Sequence, residues 1–194
     1  MVRTLAALVA LAVWAASDAP QLLGAEPWLD QIAANWNRPG ASVPPAPVAG
    51  GAASNLTRCG ETARPPTLVA DRAARAAGWT LFGPAQVFAA TTVVMAMADV
   101  DGMCRPLQYQ AFVFVDGRLA GTLSPLPMDS RTDGALSVVR LFRADELVAE
   151  FARYTPTDAL CCPSRTSTVS YRIERGSRGA MVTPVSISTS PPRS

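Results

Sequence analysis

Two cysteines stand side by side, Cys161 and Cys162, in the run DALCCPSRTSTVSYR, and the chain has only two more, Cys59 and Cys104. Neighbouring thiols can ligate a metal, close on each other, or be held by the two distant cysteines, and each choice implies a different architecture. A metal site is disfavoured, because C-x-x-C spacings are missing and no histidine exists to complete a ligand set. A bond between the neighbours closes a small ring and is the rare option. An even count in an exported chain favours two structural disulfides. Successive residues of an extended segment point to opposite sides, so each neighbour is expected to reach a different partner, Cys59 or Cys104. Thiol-redox chemistry at Cys161 and Cys162 is the competing reading.

Export is read from the first residues, MVRTLAALVALAVWAASDAPQLLGAEPW. Arg3 supplies a positive start, and Leu5 to Ala16 form an apolar run shorter than the roughly 20 residues that span a bilayer. Small residues follow, which is the layout of a secretory signal over residues 1–25. LLGA precedes Glu26 where a lipidated cysteine would follow in a bacterial lipoprotein. A lipid anchor is therefore not expected. The expectation is an exported protein, periplasmic or extracellular, with no stable membrane span after signal cleavage.

Composition narrows the chemistry. The chain has 194 residues, 49% hydrophobic and 16% charged, which suits one globular domain with a sizeable core. A net charge of +2 gives no footprint for nucleic acid. Histidine and lysine are both absent, and every basic residue is arginine. That removes Ser-His-Asp and Cys-His nucleophilic sites, histidine metal sites, Schiff-base lysines and phosphate-loop lysines. No catalytic residues, metal ligands or cofactor are expected.

Local patterns predict the elements. In EPWLDQIAANWNRPG, residues Trp28, Ile32 and Trp36 share helical spacing, which predicts a short amphipathic turn or helix, and the two tryptophans are expected to pack onto the domain. Residues 41–54, rich in proline, alanine and glycine, read as a linker without a core, so 26–58 is assigned as a tryptophan-containing segment plus linker. The domain is placed at 59–189, with a loose tail at 190–194. Thr67 is positioned to cap a helix through Ala77, with Gly78 as its left-handed stop. QVFAATTVVMAMA, from Gln86 to Ala98, is β-branched and predicts a strand.

The hairpin signal is YQAFVFVDGRLAGTLS, with Asp116-Gly117 as a two-residue loop. Pairing Val115 with Arg118 sets Phe114 opposite Leu119, Phe112 opposite Gly121 and Gln110 opposite Leu123. Phe112, Phe114, Leu119 and Leu123 then form the core face, covered by the helix. A strand near Leu136 to Phe142, a helix from Ala144 to Tyr154, an alternating strand with Val169, Tyr171 and Ile173 inward, and a last strand from Met181 to Ile187 complete the reading. The fold class is α+β: a single domain, an antiparallel sheet with one or two helices on one face, and two disulfides.

Three stretches concentrate polar chemistry. ADVDGMCRP echoes a calcium loop through Asp99 and Asp101 but lacks the closing glutamate, so a polar turn is expected. MDSRTDGA places Asp129, Ser130, Arg131 and Asp133 in a proline-edged loop, the candidate binding loop. Arg165, Arg172, Arg175 and Arg178 read as a basic strip on the final hairpin, either a contact for an anionic envelope polymer or an ordinary solvated face.

The runs DGMCRPLQYQAFVFVDGRLAGTLSP, MDSRTDGA and RYTPTDALCCPSRTSTVSY together resemble the LppP/LprE lipoprotein family of bacterial cell-envelope proteins, over roughly residues 59–187. The resemblance implies an exported envelope protein, assigns no biochemical role and carries across no catalytic residues. The resulting expectation is a non-enzymatic binding or structural module whose partner is an envelope component or small ligand. The alternatives are an enzyme using the vicinal cysteines and a carrier of a small molecule or lipid, for which an apolar cavity beneath the sheet would be the mark.

Overall fold

The computed structural model describes residues 27–48 and 55–191. The signal reading, the site of Glu26 and most of the predicted tail lie outside these residues. The described chain forms one α-helix, α1 (Val69–Ala76), and eleven strands. These are β1 (Thr80–Leu81), β2 (Gln86–Phe88), β3 (Thr91–Met97), β4 (Asp99–Val100), β5 (Pro106–Leu107), β6 (Gln110–Val115), β7 (Arg118–Thr122), β8 (Ala135–Leu141), β9 (Glu146–Arg153), β10 (Arg165–Gly176) and β11 (Gly179–Ser190). All pairings are antiparallel. One sheet has the order β1-β3-β6-β7 with β2 also on β3, a second runs β11-β10-β9-β8, and β4 and β5 form a small ribbon.

Strand β6 explains the layering. All six of its residues, Gln110 to Val115, are buried, so neither face meets water. Phe112 and Phe114 point with Val94, Ala96 and Leu81 towards Ala70 and Ala74 of α1. Ala111, Val113 and Val115 point the other way, into a larger core shared with Leu147, Ala149 and Phe151 of β9, Val169, Tyr171 and Ile173 of β10, and Val182 of β11. The helix covers the phenylalanine face as expected, and the second sheet covers the valine face. Each large apolar side chain removed from water contributes about 1.5–3 kcal/mol, so both coverings are strongly favoured.

The helix starts one residue later than expected. Leu68 rather than Thr67 takes the N-cap position, and Asp71 satisfies the free amides by accepting from Thr67 N (2.9 Å) and Leu68 N (3.0 Å). Arg64 grips the same carboxylate with two bonds of 2.7 and 2.6 Å. Gly78 does turn left-handed, at φ 91°.

The segment predicted as a helix, Ala144 to Tyr154, contains strand β9 instead. Leu147, Ala149, Phe151 and Arg153 are buried while Glu146, Val148, Glu150 and Ala152 are not, a period of two. Alanine, leucine and glutamate favour helix weakly, and packing of that alternating face against β10 and β8 overrides them. The long β-branched run splits into β2 and β3 at a turn where Ala89 takes φ 50°.

The central hairpin departs from its expected register after two pairs. Val115 faces Arg118 and Phe114 faces Leu119, but a bulge then sets Val113 against Gly121 and Phe112 against Thr122. Leu119 stays with the phenylalanines, whereas Leu123 moves into the larger core. The cause is Asn37. Its side chain donates to Thr122 O (3.0 Å) and Val182 O (3.1 Å) and accepts from Thr122 N (2.8 Å), so a side-chain amide joins β7 to β11. Gln86 does the same on the other side, donating to Val139 O (2.6 Å) and accepting from Leu141 N (2.8 Å) of β8. The two sheets are thus stitched along both seams by amides that imitate backbone.

Residues 27–48 form a strap rather than a helix and free linker. Trp28 to Asp30 make one 3-10 turn, after which the chain is extended and Ile32 is 94% exposed. Trp28 and Trp36 do pack on the body, with ring centroids 5.0 Å apart and Trp28 edge-on to Phe151 at 5.1 Å. The strap then crosses to the other core, where Val43 and Ala46 pack, Pro44 O accepts from Trp79 Nε1 (2.7 Å) and Ala46 N donates to Ala77 O (2.8 Å). Proline fixes this extended course and leaves few amides in need of partners.

The expected disulfide pairing is also corrected. Cys59 bonds Cys104, and Cys161 bonds Cys162. Cys59 is 3% exposed in the larger core, while Cys161 and Cys162 lie in a solvent-facing turn closed by Cys162 N on Ala159 O (2.8 Å). That turn is not an extended strand, so its thiols do not diverge towards the two distant cysteines. The Cys59–Cys104 bond spans 45 residues, a loop whose closure is worth about 2–4 kcal/mol.

Gly121 offers the sharpest test of the stitched seam. Its φ is +147°, and a Cβ there would collide with Asn37 and with Val182 Cγ1. Gly121→Ala is expected to lose at least about 2 kcal/mol, read as a lower urea midpoint. A loss below about 0.5 kcal/mol would show that Asn37 does not hold the seam.

Candidate functional site

The predicted binding loop turns out to be mostly tied to its own scaffold. Asp129 accepts from Gln108 N (2.7 Å), and Ser130 Oγ donates to Pro106 O (2.7 Å). Asp133 accepts from Arg153 Nε (2.9 Å) and Tyr154 N (2.8 Å). Arg131 is exposed, at φ 63°, and reaches Leu160 O at 3.4 Å. The loop therefore presents one arginine, and its carboxylates serve the fold.

Arg153, absent from the sequence-based candidates, is the hub at this end. Its side chain is 2% exposed, and it donates to both oxygens of Asp30 (2.8 and 2.5 Å), to Asp133 and to Ser167 Oγ (3.1 Å). A planar guanidinium with several donors suits such a clamp. The hydrogen bonds from Arg153 draw the Asp30 carboxyl below its ordinary range, and those to Asp30 raise Arg153 further. All its groups are engaged, so it stabilises and does not bind.

The Asp101 turn is likewise a closed structural unit, accepting from Met103 N (2.8 Å), Arg105 N (2.9 Å) and Arg105 Nε (2.5 Å). Among the described residues no group of three or more histidine, cysteine or acidic side chains is placed to hold a metal ion.

A cleft of about 660 Å³ lies at the opposite end of β10, between two turns. One is Asp116-Gly117, joining β6 to β7, and the other joins β10 to β11 around Ser177 and Arg178. Both are tight because they reverse the chain within two residues, with Gly117 at φ 74° and Gly179 at φ 119°. Val43 and Ala73 provide an apolar floor. Three arginines, Arg118, Arg175 and Arg178, face one acid, Asp116. Asp116 meets Arg175 alone, at 3.3 Å with both side chains substantially exposed, a pair of little energetic weight. Arg118 and Arg178 are exposed and have no carboxylate partner among the described residues.

Of the predicted basic strip, the structure brings Arg175 and Arg178 into this cleft and leaves Arg165 at the far end of β10 and Arg172 on the outer sheet face. The hairpin pattern puts Arg118 on the face opposite the phenylalanines, and the exposed hairpin faces count as possible binding surfaces, but Arg118 itself is not singled out as a site residue. The only signal for it was its place beside a hairpin turn, and nothing in sequence tells that the two turns converge.

A smaller apolar groove of about 330 Å³ runs between the sheets near Phe82, Met95, Tyr109, Leu136 and Val139. Tyr109 is already engaged through its hydroxyl on Leu136 O (2.9 Å).

Over the described residues these features define an antiparallel β protein with two main sheets, one α-helix and a basic cleft. Over residues 87–176, from β2 to the end of β10, the chain is matched by the family model of the LppP/LprE lipoprotein. The matched stretch holds the double cysteine, the 129–133 loop and two arginines of the cleft, Arg118 and Arg175. No curated protein and no solved structure matches the chain. The family is a lipoprotein family, consistent with the cell envelope, and no helix among the described residues is long and apolar enough to cross a membrane.

The ionisable groups define a pH window. Burial opposes ionisation of Asp71 and Asp101, yet hydrogen bonds from Arg64 and Arg105 with backbone amides hold both below the ordinary range. The backbone amide and hydroxyl of Thr155 hold half-buried Asp158 at about 2. Depressed acids stabilise the fold above their unfolded pKa near 4 and lose that contribution as pH falls. Burial raises the Tyr109 and Tyr171 hydroxyls, so their contribution is complete below about 10 and fades as pH rises beyond it. With no histidine in the chain, thermal melts are expected to show a plateau between about pH 5 and 9 with a fall on each side. A step near pH 6.5 would contradict this account of the charges.

Proposed function

We propose that the protein is an exported, non-catalytic module of the cell envelope that binds an anionic polymer in the cleft between its two hairpin turns. The observation that carries this reading is the pair of exposed arginines, Arg118 and Arg178, without acidic partners among the described residues and beside the weakly held Arg175. Arginine matches carboxylate and phosphate groups through its planar fork, and the cleft's volume suits one repeating segment of such a chain. An open groove flanked by solvent lets a polymer pass through without an end being needed. The lack of histidine and lysine throughout the chain supports a binding role over acid–base or covalent catalysis. Export and an oxidising compartment are supported by the Cys59–Cys104 disulfide and by the signal-like first residues.

Polyphosphate and polygalacturonate are suitable probes, one for each anionic group. Calorimetric titration is expected to show binding of at least one, weakening as salt rises because exposed charges are screened. Arg118→Glu with Arg178→Glu is expected to cut that affinity by about 10-fold or more, as two attractions become repulsions. Arg172→Glu, on the outer sheet face, is the control and should change it by less than about 2-fold. Equal losses from the cleft and control variants, or no binding to either polymer, would sink the proposal.

A further inference from the structure

The second disulfide does not work as a staple. Cys161 and Cys162 have Cα atoms 3.8 Å apart, the spacing of any two successive residues, so their bond closes no chain loop beyond a single peptide. The stabilisation a disulfide provides by restricting the unfolded chain shrinks with the loop it closes. Nor does the bond hold the surrounding turn in shape. Asp158 accepts from Thr155 N (2.8 Å) and Ser164 N (3.0 Å), bridging the turn's two ends. Tyr154 Oη donates to Leu160 O (3.1 Å), and Arg131 donates to the same carbonyl (3.4 Å). The turn is thus built without help from its sulfurs, and it lifts both cysteines into solvent. Cys59–Cys104 differs in closing a 45-residue separation, with Cys59 3% exposed in the main core and Cys104 half-buried at its edge.

We propose that Cys161–Cys162 is a thiol–disulfide exchange site that accepts two electrons from an external dithiol while the fold stays intact. A thiolate of the donor attacks one of the two sulfurs, breaking the vicinal S–S bond and forming a mixed disulfide. The released cysteine sulfur takes up a proton. The donor's second thiolate then attacks its own sulfur in the mixed disulfide, and the second cysteine leaves and is protonated. The donor ends as a disulfide, oxidised by two electrons, and the protein ends with two thiols. The partner class is a protein or small molecule with paired thiols, since a second thiol on the same molecule resolves the mixed disulfide without a further collision. Exposure selects the site: attack needs in-line access to a sulfur, which the turn gives at both cysteines, whereas Cys59 is buried and Cys104 half-buried. Because the site and the arginine cleft lie at opposite ends of β10, exchange is independent of polymer binding.

The test uses the intact oxidised protein and dithiothreitol under native conditions, with timed alkylation and mass spectrometry of the cysteine peptides. Two alkyl groups are expected on the Cys161–Cys162 peptide at least about 100-fold sooner than on Cys59 or Cys104. The two-thiol form is expected to melt within about 2 °C of the oxidised protein and to re-form its bond with oxidised dithiothreitol. A variant carrying Cys161→Ser and Cys162→Ser should melt as the parent does and take up no label on that timescale. Simultaneous reduction of both bonds, a vicinal bond that resists the dithiol, or a two-thiol form that melts far lower would each overturn the proposal. Polymer affinity unchanged by reduction is expected, and failure of the polymer assay alone leaves the exchange result standing.

Discussion

Everything in this molecule is arranged around a strand that cannot touch water on either side. β6 carries phenylalanines on one face and valines on the other, and all six of its residues are buried. One covering layer is therefore insufficient. The helix and the strap's Val43 and Ala46 close the aromatic face, and the β8–β11 sheet closes the aliphatic one. Two sheets stacked in this way expose edges where their strands end, and Asn37 and Gln86 supply the missing hydrogen bonds there. The bulge at Ala120 and the glycine after it follow from making room for Asn37.

Local chemistry in the sequence revealed those elements that depend on neighbours in the chain. Asp116-Gly117 marked the hairpin turn, Val169, Tyr171 and Ile173 marked β10, and Gly78 marked the end of the helix. The errors share a cause in distant partners. β9 contains helix-favouring residues and becomes a strand because β8 and β10 lie on either side of it. The hairpin register changes because of a residue more than eighty positions earlier in the chain, Asn37. The strap reads as a linker because its alanines and prolines look structureless until Trp79 and the helix are beside them.

The candidate site was legible only in pieces. Arg175 and Arg178 were recognisable as basic, but Arg118 joins them through the convergence of two hairpins from different sheets. Asp129, Ser130 and Asp133 looked like ligands because polar residues in a proline-edged loop often are. Here the loop must anchor to Gln108, Pro106 and Arg153, and that requirement consumes their hydrogen-bonding capacity. The vicinal pair was read correctly as oxidised but wrongly as two cross-braces, since a turn rather than a strand carries it.

The strap also sets which way the molecule faces. It enters beside Arg153 through Asp30 and runs antiparallel to β11, with Asn35 on Thr183, Asn37 on Val182 and Gly40 against Arg178. β10, twelve residues long, separates that entrance from the cleft by roughly 35–40 Å. The strap therefore fixes the clamped pole at one end of the body and the arginines at the other. Had residues 27–48 hung free, they would have added a leash of some 25 Å and erased that heading. Docking them makes a loosely worded address into a fixed bearing.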